Sequence, residues 1–533
     1  MTLLEERMKI MNANAYSTKV VINSQEIAYL PRAIDPERII STGDGGGLGV
    51  VTASEVEEAY NRGIDIHIVI PQYFDLFQKL SKLPDKDYIA ALHRVMTHPN
   101  VHLIVSGLFK HADRVYDDDS YSLIRMNERR AIRLVNGIEG VGIDLDIYYP
   151  EAAKIFQLND WSTALASPLL KDINKRFLTE MKWHNSYEAI RPLVRQNELG
   201  YSTKNFWKKL FYNDFPSYDH NADMYRLYTY FLTTGFLDAD QITAVGDNIL
   251  KEALNWRLKD IGVMSEKMTQ MLIYRHNNNP DEVGTVPNEP SRNANPEVNP
   301  LLDYKYGTKD IISGKWKNKV KFQEQMGLNI DVNAPIIYWP HRLTDPQKGS
   351  GFFLSAIDDL MHDYANERLQ IAFVANGDSK YVDWAKTLQS RYPGLVAIKH
   401  FDRKLSELGK AGTDVIMMPS LYEPRGLPQL EGPNYGTWTI GFNCVDGIIS
   451  YDRFPDRGNG WVFNDYDHGG LKYGVGEAIK FYKLSTDVKR IKLQRARVQN
   501  LKEHDINNML DKQIETWEMM LARKNQKLIL RAA

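Results

Sequence analysis

The sequence predicts an α/β protein built from two doubly wound, Rossmann-like domains that face a common cleft. Two series of short apolar runs alternate with helical patterns along the 533 residues, which is the order of a doubly wound fold. A stretch rich in proline, asparagine and glycine, residues 276–300, separates the two series. A chain of this length is expected to form about two large domains. We place them at residues 1–309 and 310–500, followed by a C-terminal helix at 501–533 that could pack back on the first domain.

The composition is that of an ordinary globular protein, with 43% hydrophobic and 25% charged residues. The formal net charge of −2 gives no field that would attract nucleic acid or an anionic membrane. The single cysteine, Cys444, excludes an internal disulfide and fits a reducing compartment. No signal-peptide pattern opens the sequence, and no apolar run approaches the ~20 residues that span a bilayer. We therefore expect a soluble cytoplasmic protein with no nucleic-acid or membrane partner.

The first domain is expected to open with a strand at residues 19–23, K-V-V-I-N. A glycine cluster at 43–49 follows, and Thr52 starts a helical pattern that ends at Gly63. Residues 64–70, I-D-I-H-I-V-I, form the next expected strand. This order of glycine loop, helix and strand is typical of the start of a doubly wound domain.

The glycine cluster, G-D-G-G-G-L-G, satisfies neither G-x-G-x-x-G nor the G-K-[ST] of a P-loop. It remains a flexible backbone at a helix start, where N–H groups and the helix dipole favour a phosphate or carboxylate. The pattern is equally consistent with an anion-binding loop and with a plain turn.

Further strands of the first domain are expected at 102–106, 154–158 and 241–246. The tripeptide Asn159-Asp160-Trp161 directly follows the second of these strands. Because open parallel sheets bind ligands at the carboxyl ends of their strands, these side chains are candidates for a site.

Residues 276–300 form the clearest linker-like stretch of the chain, and their proline and asparagine content predicts no regular element. After it, strands are expected at 336–339, 369–375, 395–399 and 415–418, with helices between them. The last stretch, 487–531, is predicted to be helical. Its apolar side chains fall on one face and are expected to pack into a core: Ile506, Met509, Leu510, Ile514, Trp517 and Leu521.

The strand at 415–418 leads to the strongest candidate site, because Glu423 follows it at once in a turn that begins with Pro419-Ser420. Gly426 then opens a predicted helix that carries Glu431. Glu423 and Glu431 are eight positions apart, which is slightly more than two helical turns, so both carboxylates could face one cleft. Carboxylate oxygens can accept hydrogen bonds from sugar and ribose hydroxyls without a metal. Solvated acids on a surface turn are the alternative interpretation.

A second candidate loop, H-R-L-T-D-P-Q-K-G, follows the strand at 336–339 and carries Arg342 and Lys348. An arginine and a lysine in one strand-to-helix loop can bind a diphosphate, the arginine through its planar fork and the lysine as a point charge. A solvated basic loop is the alternative.

Together these stretches resemble the bacterial glycogen synthases and plant starch synthases, the retaining glucosyltransferases of the two-domain GT-B fold. H-R-L-T-D-P-Q-K-G is similar to the family's G-R-L-T-x-Q-K-G, and S-L-Y-E-P-R-G-L-P-Q-L is similar to S-x-x-E-P-C-G-L-x-Q-L. The resembling segments run in the family's order: 43–49, 159–161, 238–243, 313–328, 341–349 and 420–437.

The resemblance implies that Arg342 and Lys348 bind the donor diphosphate and that Glu423 holds hydroxyls of the transferred glucose, and we assign these three a catalytic role. Glu431 would reach the ribose or nucleotide. It further implies retention without an enzymatic nucleophile, and neither metal nor cofactor, since the nucleoside diphosphate-glucose is a substrate. The other implied substrate-binding residues are Gly45, Gly46, Gly47, Gly49, Asn159, Asp160, Trp161, Arg425, Gly426 and Leu427.

Two loops depart from the family pattern. Ser41 or Asp44 lies where the family has a lysine, and an aspartate there would repel a diphosphate. The family's T-G-G-L loop is replaced by residues 444–448, which lose a glycine and add Asp446. Arg425, where the family often has cysteine, could restore a positive charge.

From the resemblance we expect a glucosyltransferase that moves glucose, from ADP-glucose in preference to another donor, to the non-reducing end of an α-1,4-glucan. One alternative is a retaining GT-B enzyme with another sugar donor or acceptor. The other is a non-catalytic glucan-binding relative whose donor site is damaged.

Overall fold

The structure is a computed structural model that describes residues 18–43, 47–116 and 126–532, with side chains as far as residue 525. The chain divides into two compact units, one of Met1–Pro287 with Met509–Ala533 and the other of Asn288–Asn508.

The first unit is built on a parallel sheet of seven strands. Its strands are β1 (Thr18–Asn23), β2 (Ile66–Pro71), β3 (Val101–Ile104), β4 (Ala153–Asn159), β5 (Leu178–Trp183), β8 (Gln241–Ala244) and β9 (Val283–Thr285), and a separate antiparallel pair is formed by β6 (Ile190–Pro192) and β7 (Tyr228–Tyr230). The order across the sheet is β3-β2-β1-β4-β5-β8-β9. The central strands β1 and β4 are buried along almost their whole length, as expected for a sheet covered on both faces.

The helices of the first unit connect these strands. They are α1 (Gly47–Asn61), α2 (Phe74–Ser81), α3 (Asp85–Met96), α4 (Gly107–Lys110), α5 (Met126–Tyr148), α6 (Ala166–Ile173), α7 (Leu193–Glu198), α8 (His220–Arg226), α9 (Phe231–Asp238), α10 (Asp247–Leu254), α11 (Arg257–Asp260) and α12 (Glu266–Asn278).

The second unit is built on a parallel sheet of six strands with the order β12-β11-β10-β13-β14-β15. Its strands are β10 (Ile336–Trp339), β11 (Gln370–Val374), β12 (Val396–Lys399), β13 (Val415–Met418), β14 (Trp438–Phe442) and β15 (Gly460–Phe463). Its helices are α13 (Ile311–Met326), α14 (Ser350–Asp363), α15 (Ser379–Arg391), α16 (Arg403–Gly412), α17 (Pro428–Tyr435), α18 (His468–Tyr482) and α19 (Thr486–Glu503), and α20 (Ile506–Ala532) begins within this unit. The core lies between sheet and helices, where Trp339 stacks on Phe353 at 5.4 Å between ring centroids.

Both sheets reverse their winding direction beside a central strand, between β1 and β4 in the first unit and between β10 and β13 in the second. Ligands of doubly wound sheets bind outside the carboxyl ends of the strands at such a point. The chain leaves β4 at Asn159 and β13 at Met418, so both candidate stretches are placed there.

The prediction that residues 276–300 form no regular element is wrong. Helix α12 continues to Asn278, and β9 pairs in parallel with β8 through Val283 and Thr285. The physical reason is tertiary, because edge pairing and the burial of Val283 and Val286 outweigh the local turn composition.

The second unit begins at Asn288, earlier in the chain than the predicted boundary near residue 310. The intervening segment is held by side chains of the second unit itself. Asn434 donates a hydrogen bond from Nδ2 to the Ala294 carbonyl at 2.9 Å, and Asn299 donates to the Tyr435 hydroxyl at 2.8 Å.

Two helical predictions also differ from the structure. Helix α1 begins at Gly47 and not at Thr52, and a tertiary contact holds this additional first turn: the Gly49 carbonyl accepts from Ala28 N–H at 2.9 Å. The single helical stretch at 487–531 is two helices, α19 and α20. Met509, Leu510 and Trp517 of α20 are buried, which agrees with the predicted core packing.

Candidate functional site

The loop that carries Arg342 and Lys348 is fixed at both ends by backbone contacts. Leu343 N–H donates to the Asn376 carbonyl at 2.7 Å, and the Asp345 carboxylate accepts from the first backbone N–H groups of α14. Gly349 has φ +67°, and a Cβ there would lie 2.3 Å from the Pro419 carbonyl oxygen. The loop therefore needs glycine at this position to pack against the loop that follows β13.

This packing brings two of the predicted catalytic residues together. Lys348 Nζ lies 2.7 Å from Glu423 Oε2, and Ser420 Oγ donates to the same oxygen at 3.1 Å. Leu421 N–H donates to the Gln347 carbonyl at 2.9 Å and joins the two loops a second time. Glu423 is only 5% exposed, so its charge is stabilised by the ammonium group rather than by water.

Arg342 lies on the same loop with its side chain exposed, and it makes no ion pair with any residue in the described ranges. Burial raises the pKa of Tyr422 to about 12, and the nearby Arg342 opposes that rise. The loop therefore presents one cation that is paired with Glu423 and one that is open to a ligand.

Glu431 lies on α17 and has a different environment from Glu423. Its Oε2 is 2.6 Å from Lys410 Nζ, and Lys410 also lies 2.6 Å from Glu407. Burial lowers the pKa of Lys410, but the carboxylates of Glu407 and Glu431 outweigh burial and raise it above its ordinary value. Within the part of the chain that the structure describes, Glu423 and Glu431 share no hydrogen-bond partner.

Arg425 is buried among acceptors. Its guanidinium lies 2.7 Å from both Asp446 and Glu289, and its Nε donates to the Asn288 carbonyl at 3.1 Å. Burial raises the pKa of Asp446, although Arg425 opposes the shift. The positive charge expected to face a phosphate is thus taken up by two carboxylates of its own unit.

Gly426 and Leu427 link this residue to α17. A Cβ on Gly426 would lie 2.5 Å from Gln429 Oε1 and 2.8 Å from Met418 Cε, so a larger residue would displace the ends of these two side chains. Leu427 precedes the first residue of the helix.

In the first unit, Asn159 ends β4 and Asp160 follows it, beside the start of the segment after β5. Asn159 Oδ1 lies 2.9 Å from His184 Nε2, and Asp160 Oδ1 accepts from Asn185 N–H at 3.1 Å. Asp160 has φ +63°, which aspartate tolerates better than most residues. Burial raises the pKa of Asp160 to about 7 and lowers that of His184 to about 3. Desolvation therefore disfavours the charged form of both groups.

Trp161 completes this region. It is 6% exposed and packs on Tyr187 with ring centroids 4.9 Å apart, so its ring contributes an apolar packing surface and not a polar contact. Of the predicted glycines, Gly47 and Gly49 form the first turn of α1, whereas Gly45 and Gly46 lie outside the described residues.

The list of site residues predicted from the sequence omits His184 and Glu26. Glu26 follows β1 closely, is buried, and acts electrostatically on Asp160. A polar run after an apolar strand, S-Q-E at residues 24–26, is the signal that could have identified it.

Two features are absent from the residues that the structure describes. No group of three or more histidine, cysteine, aspartate or glutamate side chains there could hold a metal ion. No helix among the same residues is long and apolar enough to cross a membrane.

Comparisons with known proteins agree with this geometry. The family model described as starch synthase catalytic domain matches residues 42–264. A glycogen synthase of Thermosipho melanesiensis is 30% identical over 335 residues, which is 62% of this chain and 65% of that relative's length. A glycogen synthase of Clostridium novyi is 26% identical over 82% of this chain and 89% of its own length.

A solved structure, the catalytic domain of starch synthase IV from Arabidopsis thaliana bound to ADP and acarbose, superposes with a TM-score of 0.69. It is 16% identical and covers 95% of this chain and 99% of its own. The two doubly wound units, each built on a parallel sheet, have the GT-B fold. In sequence, the chain is similar to the glycogen and starch synthases, through residues 42–264 for the family model and through most of its length for the Clostridium novyi enzyme.

Proposed function

We propose that the chain is a retaining glucosyltransferase that moves glucose from a nucleoside diphosphate-glucose to the non-reducing end of an α-1,4-glucan. The observation that carries this proposal is the contact of Lys348 with Glu423, which joins the two sequence motifs at the carboxyl ends of β10 and β13. ADP-glucose is the favoured donor, and ADP in the related starch synthase structure supports that choice.

Arg342 and Lys348 bind the donor diphosphate in this proposal. Charge-assisted hydrogen bonds of this kind contribute roughly 1.5–3 kcal/mol each. Their larger effect comes as the glucosyl bond breaks, because the two cations stabilise the negative charge that grows on the departing diphosphate. Lys348 already lies against Glu423, so one side chain connects the diphosphate to the sugar.

Glu423 holds hydroxyls of the transferred glucose. The bond from the sugar's anomeric carbon to the diphosphate breaks, and a bond to the acceptor hydroxyl oxygen forms on the same face. The acceptor's proton passes to the departing phosphate oxygen. This route needs no nucleophile from the protein and no metal ion.

Two further carboxyl groups have different roles. Glu431 binds the ribose with Oε1, since its Oε2 accepts from Lys410. Asp160 in the first unit is protonated for much of the time near neutral pH, so it can donate a hydrogen bond to a substrate oxygen. Asn159 and His184 fix the position of this segment.

The test is a transfer assay with purified full-length protein, labelled ADP-glucose or UDP-glucose, and glycogen as the acceptor. We expect label in the polymer, with faster transfer from ADP-glucose, and release of the label as free glucose by an exo-acting α-glucosidase, which shows that the new linkage is α. Faster transfer from UDP-glucose would contradict the choice of donor alone. No transfer from either donor would contradict the proposed activity.

The Arg425 contacts favour a second candidate, a glucan-binding relative that binds donors weakly. In such a protein the pairing of Arg425 with Asp446 and Glu289 leaves the distal phosphate without a cation from this loop. Glycogen binding without transfer in the same assay would select this candidate.

A further inference from the structure

The first unit has a wide pocket of about 640 Å³ at the free edge of its sheet. Helices α10 and α12 form two of its walls, and Gly284 and Thr285 of the edge strand β9 form part of the third. Gly284 has no side chain, so the strand's backbone can be approached closely from the pocket. None of the residues assigned above to donor or acceptor chemistry lines this pocket.

Trp256 is the aromatic residue of the pocket, and its backbone is unusual. Its φ is +66° and its ψ is −3°, the left-handed region that bulky side chains seldom adopt. Such strain is retained only where the surrounding structure imposes it, and it is concentrated at ligand sites and switches. Trp256 nevertheless remains 36% exposed, so part of its indole ring is available to a ligand.

The polar side chains around Trp256 are available for hydrogen bonds. Lys251, Asn255 and Asn277 are exposed, and their side chains have no hydrogen bond to any residue that the structure describes. His276 has a buried Nδ1 that likewise has no partner within the described ranges.

The pocket carries one charged side chain of each sign, and this balance favours a neutral ligand. Asp247, which accepts a hydrogen bond from the Thr285 hydroxyl, and Lys251 contribute one charge of each sign. A phosphate or nucleotide would meet the Asp247 carboxylate and gain little from this balance. Two amides, an indole face and a balanced pair of charges suit a neutral molecule that carries many hydroxyls.

We propose that this pocket is a saccharide-binding site that holds a segment of α-1,4-glucan, with Trp256 as the surface on which a glucose ring packs. The choice of glucan rests on the proposed function, whereas the preference for a neutral sugar rests on the pocket. A site of this kind raises the affinity for a long polymer and has no effect on a short acceptor, because only a polymer can occupy the pocket and the active site at once.

The test compares Trp256→Ala with Trp384→Ala in the full chain. Trp384 lies on α15 of the second unit and is exposed to a similar extent, 39%, so it is a matched control. Glycogen affinity electrophoresis gives the binding constant, and transfer kinetics are measured with glycogen and with maltotriose as acceptors. For Trp256→Ala we expect about a tenfold weaker glycogen affinity, the size of effect that loss of one aromatic contact can produce.

We also expect a higher KM for glycogen, with kcat and the KM for maltotriose unchanged. Trp256→Phe should retain most of the binding, and equal melting temperatures would show that all variants fold. Unchanged glycogen affinity in Trp256→Ala would overturn the proposal, as would an equal loss in Trp384→Ala. The electrophoresis needs no catalysis, so failure of the transfer activity and failure of this site give different results.

Discussion

Each unit places a carboxyl group just after a central strand of its sheet, but within the described part of the chain only the group of the second unit is paired with a cation. In the second unit, Glu423 follows β13 and is paired with Lys348 at 2.7 Å. In the first unit, Asp160 follows β4, accepts a backbone hydrogen bond, and has no cationic partner among the residues that the structure describes. Burial raises the pKa of Asp160 to about 7.

This difference extends beyond one residue in each unit. In the second unit, Glu431 is paired with Lys410, and Asp446 with Arg425. In the first unit, Glu188 resembles Asp160, because burial also raises its pKa to about 7. These carboxyl groups of the second unit are thus held in ion pairs, whereas burial disfavours the charged forms of Asp160 and Glu188 in the first unit. Substitutions at these paired and unpaired carboxyl groups should therefore have opposite consequences.

The largest expected effect follows from Glu423→Ala in the second unit. It removes the partner of Lys348 and, in the proposed function, the carboxylate that binds the glucose, so we expect kcat/KM to fall by about 10²–10³-fold. Lys348 can become hydrated, since its side chain is already 14% exposed, and the fold should persist. Transfer kinetics and circular dichroism measure the two outcomes.

Glu477→Gln is the control for this variant, because Glu477 is paired with Lys480 on α18 and is not a predicted site residue. It should leave the kinetics unchanged. If Glu423→Ala retained activity within about tenfold of the wild type, a change of about 1.4 kcal/mol, the role assigned to Glu423 would be wrong.

The next effect is on stability and concerns Lys410→Met. The substitution leaves the carboxylates of Glu407 and Glu431 without their shared cation in a buried setting. Removing one partner from a buried ion pair costs about 3–5 kcal/mol. We therefore expect a lower urea midpoint for the unfolding of the second unit. Tryptophan fluorescence measures this midpoint.

Lys386→Met provides the matched control, since its partner Asp383 and Lys386 itself are both mostly exposed. An exposed pair contributes about 0–1 kcal/mol, so this variant should unfold close to the wild type. Equal midpoints for the two variants would show that the Lys410 pair does not stabilise the second unit.

The local pattern of the sequence predicts much of this fold but not all of it. The strands at 336–339 and 415–418 were expected at their observed bounds, because each is an apolar run stopped by a proline. Strand β5, L-T-E-M-K-W, escapes prediction because it buries Glu180 and Lys182. Those groups are satisfied by distant residues, as in the 2.9 Å contact of Lys182 with Glu55.

The same limit applies to the candidate site. Motif spacing predicts Arg342, Lys348 and Glu423, since each lies in a short loop after an apolar strand. It does not predict that Glu289 and Asp446 take up the charge of Arg425. Such ion pairs join segments that are far apart in the chain, and a local sequence pattern does not predict which of these side chains will be in contact.

The smallest expected effect concerns Asp160→Asn in the first unit. The variant keeps the Oδ1 that accepts from Asn185, and asparagine also tolerates the positive φ of this position. The folded pKa of about 7 lies above the ordinary 3.8, so folded wild-type protein retains a proton that the unfolded chain loses. The free energy of unfolding should therefore fall as pH rises from about 4 to 7.

The asparagine variant lacks this pH-dependent contribution to the free energy of unfolding, whereas Glu188 and His184 titrate in the same way in both proteins. Urea unfolding at pH 5 and pH 8 should show wild-type protein losing more stability than Asp160→Asn between the two conditions. Since one pKa unit corresponds to about 1.4 kcal/mol, we expect the two losses to differ by at least about 1 kcal/mol. Identical losses would mean that Asp160 is ionised in the folded protein at both pH values. The first unit would then hold an unpaired buried charge, and the contrast with Glu423 would no longer stand.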